Sequence, residues 1–115
     1  MRAPGWLSDS DLKVFTEAFT KTEFQGAINW YRASSDPELR AELGILFAKQ
    51  ISPPTWYLAG EADWGTYQTP GALERMATQA CQDFRGSIMV PAAGHWVQQE
   101  AADTVNAALI KFLGR

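Results

Sequence analysis

The sequence predicts an α/β protein whose second half forms a β-α-β-α unit with two parallel strands. Two short runs of continuous hydrophobicity, at residues 55–59 and 87–90, are bounded by Pro or Gly, as is typical of buried parallel strands. Between and after these runs, apolar residues recur at helical spacing over residues 70–82 and 101–113. Successive strands linked by a helix pair in parallel through a right-handed crossover.

The first half of the chain is predicted to be helical and to contribute no strand. A helix with a serine cap is expected over about residues 9–21, and a second over about 27–34, after an interruption at Gly26. Residues 37–48 have a weaker pattern that fits either a helix or irregular structure. Because two strands do not form a stable sheet alone, we expect the predicted strands to join a larger sheet.

Composition and charge exclude several classes of function. Hydrophobic residues make up 46% and charged residues 20%, as in ordinary globular proteins. The net charge is −3 without a run of Lys or Arg, so nucleic acid is not an expected partner. No apolar stretch approaches the roughly 18–20 residues of a membrane helix, so no membrane partner is expected.

The inventory of metal-binding and redox residues is small. One His and one Cys cannot build a metal-ligand cluster, and no glycine-rich phosphate loop is present, so neither a metal nor a cofactor is expected. The single cysteine, Cys81, cannot form an internal disulfide, and the first residues do not resemble a signal peptide. A cytoplasmic location is therefore expected. Cys81 is predicted to be a core residue in the middle of a helix.

Two residues with catalytic chemistry follow the two predicted strands. Asp63 comes just after the first strand, and His95, the only histidine, comes just after the second. Loops at the carboxyl ends of parallel strands emerge at one edge of a sheet, and neighbouring strands lie about 4.8 Å apart. The aspartate could then hold one imidazole nitrogen and leave the other free as a base. From the residues alone, a surface or structural histidine and a turn or capping aspartate remain open alternatives.

Several motifs resemble those of epoxide hydrolases, a branch of the α/β-hydrolases. The sequence GEAD, ending at Asp63, and the sequence GHW around His95 resemble the acid and histidine segments of that fold. Upstream, residues 24–32 read FQGAINWYR and are similar to the F-x-G-x-x-N-W-Y-R stretch of the helical cap over the active site. The resemblance extends over nearly the whole chain, from about residue 7 to residue 113.

The resemblance implies a partial α/β-hydrolase fold, with a helical cap remnant over residues 1–50 and the C-terminal part of the core over residues 51–115. It implies that His95 is the base that activates water, that Asp63 is its carboxylate partner, and that Tyr31 donates a hydrogen bond to the epoxide oxygen. A nucleophilic aspartate opens the epoxide in this family, and hydrolysis of the resulting alkyl-enzyme ester gives a diol. The implied substrate is a small apolar epoxide.

The chain departs from the family pattern at the nucleophile. The family's small-x-Asp-x-small turn and its upstream His-Gly-x-Pro segment do not occur in these residues. Asp63, Trp64 and Gly65 imitate the turn, but Glu61 occupies a position that must be small in a strained elbow. We therefore expect this chain to be inactive alone, as a truncated product or as one half of a split enzyme. A missing N-terminal half, or a homo-oligomeric partner, would complete it.

Two other functions remain open at this point. The chain could be a segment of another α/β-hydrolase, an esterase with a serine nucleophile or a dehalogenase with an aspartate. It could also be a non-catalytic interaction module that docks by strand addition through its exposed sheet edge. Glu100 is expected only to open the last helix, where a carboxylate suits the helix dipole.

Overall fold

The computed structural model describes residues 4–46 and 49–114, and the chain divides into two compact units, Met1–Lys49 and Gln50–Arg115. The first unit contains the helices α1 (Asp9–Thr22), α2 (Gln25–Ser35) and α3 (Pro37–Leu43), followed by a 3₁₀ turn (Gly44–Leu46). The second unit contains, in order, β1 (Thr55–Gly60), α4 (Trp64–Tyr67), α5 (Ala72–Arg75), a π-helical turn (Met76–Ala80), β2 (Phe84–Val90), α6 (Val97–Glu100) and α7 (Ala102–Leu113).

Helix α1 begins at a reciprocal cap formed by Ser8 and Asp11. The Ser8 hydroxyl accepts a hydrogen bond from the Asp11 N–H at 3.1 Å, and the Asp11 carboxylate accepts one from the Ser8 N–H at 3.3 Å. Each side chain thus satisfies a backbone donor that the first turn leaves free. The predicted serine-capped helix is confirmed.

The boundary between α1 and α2 differs from the prediction. Gly26 was expected to interrupt the helices, but it lies inside α2. The chain instead turns at Glu23, whose φ of 55° is outside the helical region. Glycine is a poor helix former, but a single one is tolerated at a cost of about 1 kcal/mol.

The helix that follows α2 changes from the α to the 3₁₀ form along its length. Asp36 caps α3, its carboxylate accepting from the N–H groups of Glu38 at 2.9 Å and Leu39 at 3.2 Å. Pro37 occupies the first helical turn, where its missing N–H costs nothing. The α-helix changes to a 3₁₀ turn at residue 44. Of the two alternatives for residues 37–48, helix or irregular structure, the helix is therefore observed up to residue 46. Residues 47 and 48 lie outside the described residues.

The strands β1 and β2 pair in parallel and form a two-stranded sheet in the described part of the chain. The predicted parallel pair is confirmed, but β2 begins at Phe84 rather than at residue 87. The register shifts between Thr55 and Tyr57, so an extra residue of β2 is accommodated there. Gly86, with a φ of 118°, supplies a backbone conformation that other residues rarely adopt.

The helix predicted over residues 70–82 forms from Ala72 to Ala80 and changes from α to π form within that range. After α5 the chain forms a π-helical turn, closed by a hydrogen bond from the Cys81 N–H to the Met76 carbonyl at 3.0 Å. Cys81 is extended and forms an isolated parallel bridge with Ile51. It is buried as predicted, but it lies beside the sheet and not in a helix. The pairing of Cys81 with Ile51 ends the helix at residue 80, short of the predicted residue 82.

The core of the second unit lies between the sheet and the helices α6 and α7. Its buried centre is Val90, Ala93, Val97 and Val105. The side chains of Leu58, Ile88 and Ala101 pack against this centre. The core therefore fixes the end of β2 and the segment that follows it, which carries His95. Within the described ranges, no helix is long and apolar enough to cross a membrane.

Candidate active site

The loops that follow β1 and β2 lie against each other at one end of the sheet. The Glu61 N–H donates to the Val90 carbonyl at 2.9 Å, and the Ala62 N–H donates to the Ala93 carbonyl at 3.0 Å. These backbone bonds continue the pairing of the strands beyond their ends. They hold the segment that carries Asp63 against the segment that carries His95.

Gly60, the last residue of β1, permits this close approach. A Cβ atom placed on Gly60 would overlap the carbonyl oxygens of Ala93 and Gly94, and would lie 2.5 Å from the Ala93 carbonyl carbon. Because these are backbone atoms, they could move only if the loop after β2 moved with them. The sequence showed Gly60 only as the end of a strand, whereas the structure makes it a condition for the contact between the loops.

Asp63 and His95 form a hydrogen bond of 2.9 Å between Oδ1 and Nδ1. The same oxygen accepts the Gly65 N–H at 2.8 Å, because Asp63 also caps α4. An ionised carboxylate can only accept, so Nδ1 of His95 carries the proton of this bond. In a neutral imidazole, Nε2 is then unprotonated and available as a base. The predicted contact between the two side chains is confirmed.

The contact with His95 also sets the ionisation of Asp63. The hydrogen bond from His95 lowers the pKa of the Asp63 carboxyl, burial opposes the shift, and the Gly65 N–H lowers it further. Asp63 is therefore ionised throughout the neutral range. Because the folded pKa is depressed, the stability that this carboxylate contributes is present above its ordinary pKa and is lost as the pH falls through the lower folded value.

Two indole rings flank the imidazole of His95. The Trp64 ring is stacked at a centroid distance of 5.5 Å, and the Trp96 ring lies edge-on at 5.1 Å. The His95 side chain is 46% exposed and that of Asp63 only 12%, so the carboxylate is sheltered while the imidazole faces outward. Trp64 was considered at the sequence level only as part of a false nucleophile turn. Its stacking on the imidazole depends on α4, which had not been predicted.

The other residues singled out from the sequence have different surroundings. Tyr31 lies on α2 in the first unit, 72% exposed, and its role toward an epoxide remains a prediction. Glu100 was expected to open the last helix, but it ends α6, and its carboxylate binds backbone N–H groups in the His95 loop. Helical spacing could not reveal this contact because the break between α6 and α7 was not predicted.

Proteins named epoxide hydrolase match nearly all of this chain. It is 37% identical over 111 residues to epoxide hydrolase A of Mycobacterium tuberculosis, and this match covers 96% of this chain and 33% of that protein. It is 33% identical over 111 residues to epoxide hydrolase B of the same organism, covering 96% of this chain and 30% of that protein. The structure of potato (Solanum tuberosum) epoxide hydrolase I matches with a TM-score of 0.83 and 27% identity, over 99% of this chain and 37% of that one. The chain is an epoxide-hydrolase-like member of the α/β-hydrolase superfamily.

The predicted partial α/β-hydrolase fold is confirmed by this structural match. The epoxide-hydrolase-like chain spans about a third of the length of the curated relatives that it matches. No protein-family model matches it.

Proposed function

We propose that this chain supplies the water-activating base, His95, and its carboxylate partner, Asp63, to an epoxide hydrolase. The observation that carries the proposal is the 2.9 Å hydrogen bond between Asp63 Oδ1 and His95 Nδ1. It leaves Nε2 unprotonated on an exposed ring, which is what a general base requires. The similarity to enzymes named epoxide hydrolase supports the choice of reaction.

The proposed reaction has two steps. In the first, a carboxylate nucleophile from outside these 115 residues attacks an epoxide carbon, the C–O bond breaks, and the epoxide oxygen takes a proton with the help of the Tyr31 hydroxyl. In the second, His95 Nε2 takes a proton from water, and the resulting hydroxide attacks the ester carbonyl. The ester bond breaks and the leaving alkoxide takes the proton held by His95, which completes the diol. The proton of the new carboxyl group returns to Tyr31, so that the carboxylate nucleophile and the tyrosine are both regenerated.

Asp63 has a defined part in the second step. When His95 Nε2 takes a proton, both ring nitrogens carry hydrogen and the imidazole becomes a cation. The ionised carboxylate of Asp63 stabilises that charge and prevents the ring from turning. The indole ring of Trp64, stacked against the imidazole, provides a second favourable surface for a cation.

The organisation of the whole enzyme is also part of the proposal. Residues 1–50 would form a remnant of the cap and residues 51–115 the C-terminal part of the core. The sheet of the described residues has two strands, and both of its edges are open to further pairing. Large apolar side chains on α7, such as Ile110 and Leu113, are more than 70% exposed. We propose that an N-terminal half of the enzyme completes this sheet, that the substrate is a small apolar epoxide, and that the setting is cytoplasmic.

The first prediction is that these 115 residues alone form no diol. Purified chain is incubated with styrene oxide, and diol is measured by chromatography. We expect diol only at the rate of the His95→Ala variant, because a base without a nucleophile cannot form the ester. Turnover that His95→Ala abolishes would show that these residues contain a nucleophile and would contradict this part of the proposal.

A complementary experiment adds the part of the enzyme that is proposed to carry the nucleophile. In a chimera, this chain replaces the 111-residue matching segment of epoxide hydrolase A of Mycobacterium tuberculosis. We expect this chimera to convert styrene oxide to diol, because His95 and Asp63 would face the nucleophile of the relative. A chimera that folds cooperatively but forms no diol would contradict the proposed function.

A further inference from the structure

We propose that Glu100 is a positioning residue for His95: its carboxylate holds the backbone on both sides of the histidine and thereby directs the imidazole. The effect on turnover rests on the function proposed above. The effect on the histidine ring does not, and it can be measured without any reaction.

The carboxylate of Glu100 bridges the two neighbours of His95. Its Oε2 accepts the Gly94 N–H at 2.6 Å, and its Oε1 accepts the Trp96 N–H at 3.0 Å. Hydrogen bonds from N–H groups to an ionised carboxylate are about twice as strong as neutral ones. One side chain thus fixes the peptide groups immediately before and after the histidine.

The local sequence explains how the carboxylate reaches these donors. Trp96 is the N-cap residue of α6, and its N–H is bound by Glu100, the last residue of the same four-residue helix. Gly94 leaves room on the other side. A Cβ atom placed on Gly94 would lie only 3.3 Å from both carboxylate oxygens. At Ala101, φ is −140°, so the chain leaves the helical conformation directly after Glu100.

The two carboxylates of the site restrain His95 at different points. Asp63 binds the ring at Nδ1, and Glu100 fixes the backbone from which the ring projects. The His95 side chain is 46% exposed, so packing against its neighbours does not enclose the ring. A bond at Nδ1 alone allows the ring to swing with its loop. The second restraint sets the direction of Nε2, and therefore the position at which water loses its proton.

The test uses the fact that the chain has one histidine. In the uniformly ¹⁵N-labelled 115-residue chain, NMR reports the protonation of each nitrogen of the single histidine ring and the hydrogen exchange of individual backbone amides. We expect Glu100→Ala to move the ring signals from a single tautomer toward the mixture of a free histidine, and to speed hydrogen exchange at the Gly94 and Trp96 amides. Glu100→Gln keeps one acceptor and should lie between wild type and Glu100→Ala.

In the chimera, we expect Glu100→Ala to lower kcat about 10- to 100-fold with little change in KM, because the base is misplaced while the substrate pocket is kept. The matched control is Asp103→Asn, which removes an exposed carboxylate from the first turn of α7. It should change neither the kcat of the chimera nor the NMR signals and amide exchange around His95. If Glu100→Ala does not fold, Glu100→Gln and Gly94→Ala decide the question, since each disturbs the bridge less.

Unchanged ring signals and unchanged exchange at Gly94 and Trp96 in Glu100→Gln and Gly94→Ala would overturn the proposal. An equal change in Asp103→Asn would also overturn the proposal, because the change would then follow from the loss of any nearby negative charge. An unmutated chimera that forms no diol would contradict the proposed function, while the NMR result would still decide the role of Glu100.

Discussion

In the chimera, His95→Gln is expected to accumulate the alkyl-enzyme ester and to lower kcat by about 10²- to 10⁴-fold, the usual contribution of a positioned general base. The nucleophile of the relative can still open the epoxide, because that step does not require a base. Hydrolysis of the ester does require one, and glutamine cannot take a proton from water. Mass spectrometry of the intact protein during turnover measures the ester directly, as an added mass equal to that of the epoxide.

The control for this variant is Gln99→Ala, an exposed position in α6 close to His95 in sequence. It should show wild-type kcat and no accumulation of ester. A His95→Gln chimera that is folded, retains its kcat and accumulates no ester would mean that another group activates water. Loss of turnover without any ester would place His95 in the first step, contrary to the role proposed for it.

The second large effect is expected from Gly60→Ala. The added methyl group would overlap the carbonyl oxygens of Ala93 and Gly94, so the loop after β2 must move away from β1. Overpacking of this kind costs about 1–3 kcal/mol of unfolding free energy. A shift of about 1 Å in the position of His95 would also lower kcat about 100-fold. Urea unfolding and steady-state kinetics of the chimera measure the two effects.

Gly26→Ala is the matched control for Gly60→Ala. A Cβ atom on Gly26 would have nothing within 4 Å, and the residue lies inside α2. Alanine should therefore leave stability unchanged or raise it by up to about 1 kcal/mol. If Gly60→Ala were as stable and as active as the unsubstituted chimera, the close approach of the two loops would have no importance for the site.

The parallel strands and the contact between Asp63 and His95 could be predicted because both follow from local signals and a general rule. Short hydrophobic runs bounded by Pro or Gly indicated the strands. The rule that parallel strands end at one edge then placed the two loops together. The motif around Tyr31 indicated the epoxide hydrolases, and the comparisons support that family for the chain as a whole.

The remaining features depend on contacts between segments distant in sequence or on short elements that periodicity cannot reveal. Cys81 leaves the helical pattern because it pairs with Ile51. Trp64 stacks on the imidazole only because a four-residue helix, α4, follows Asp63. Glu100 reaches back to the His95 loop because the helix ends directly after it. Each of these depends on the folded position of a neighbour, which local sequence patterns do not reveal.

The role of Asp63 in holding His95 is tested most directly by the tautomer of the single imidazole, measured by ¹⁵N NMR at a pH where the ring is neutral. We expect hydrogen on Nδ1, held by the Asp63 carboxylate, and none on Nε2. Asp63→Asn should disturb this state, since an amide can also donate to Nδ1 and so favour the other tautomer. A neutral histidine protonated at Nε2 in the wild-type chain, or a ring whose signals Asp63→Asn leaves unchanged, would contradict the proposed pairing of Asp63 with a basic His95.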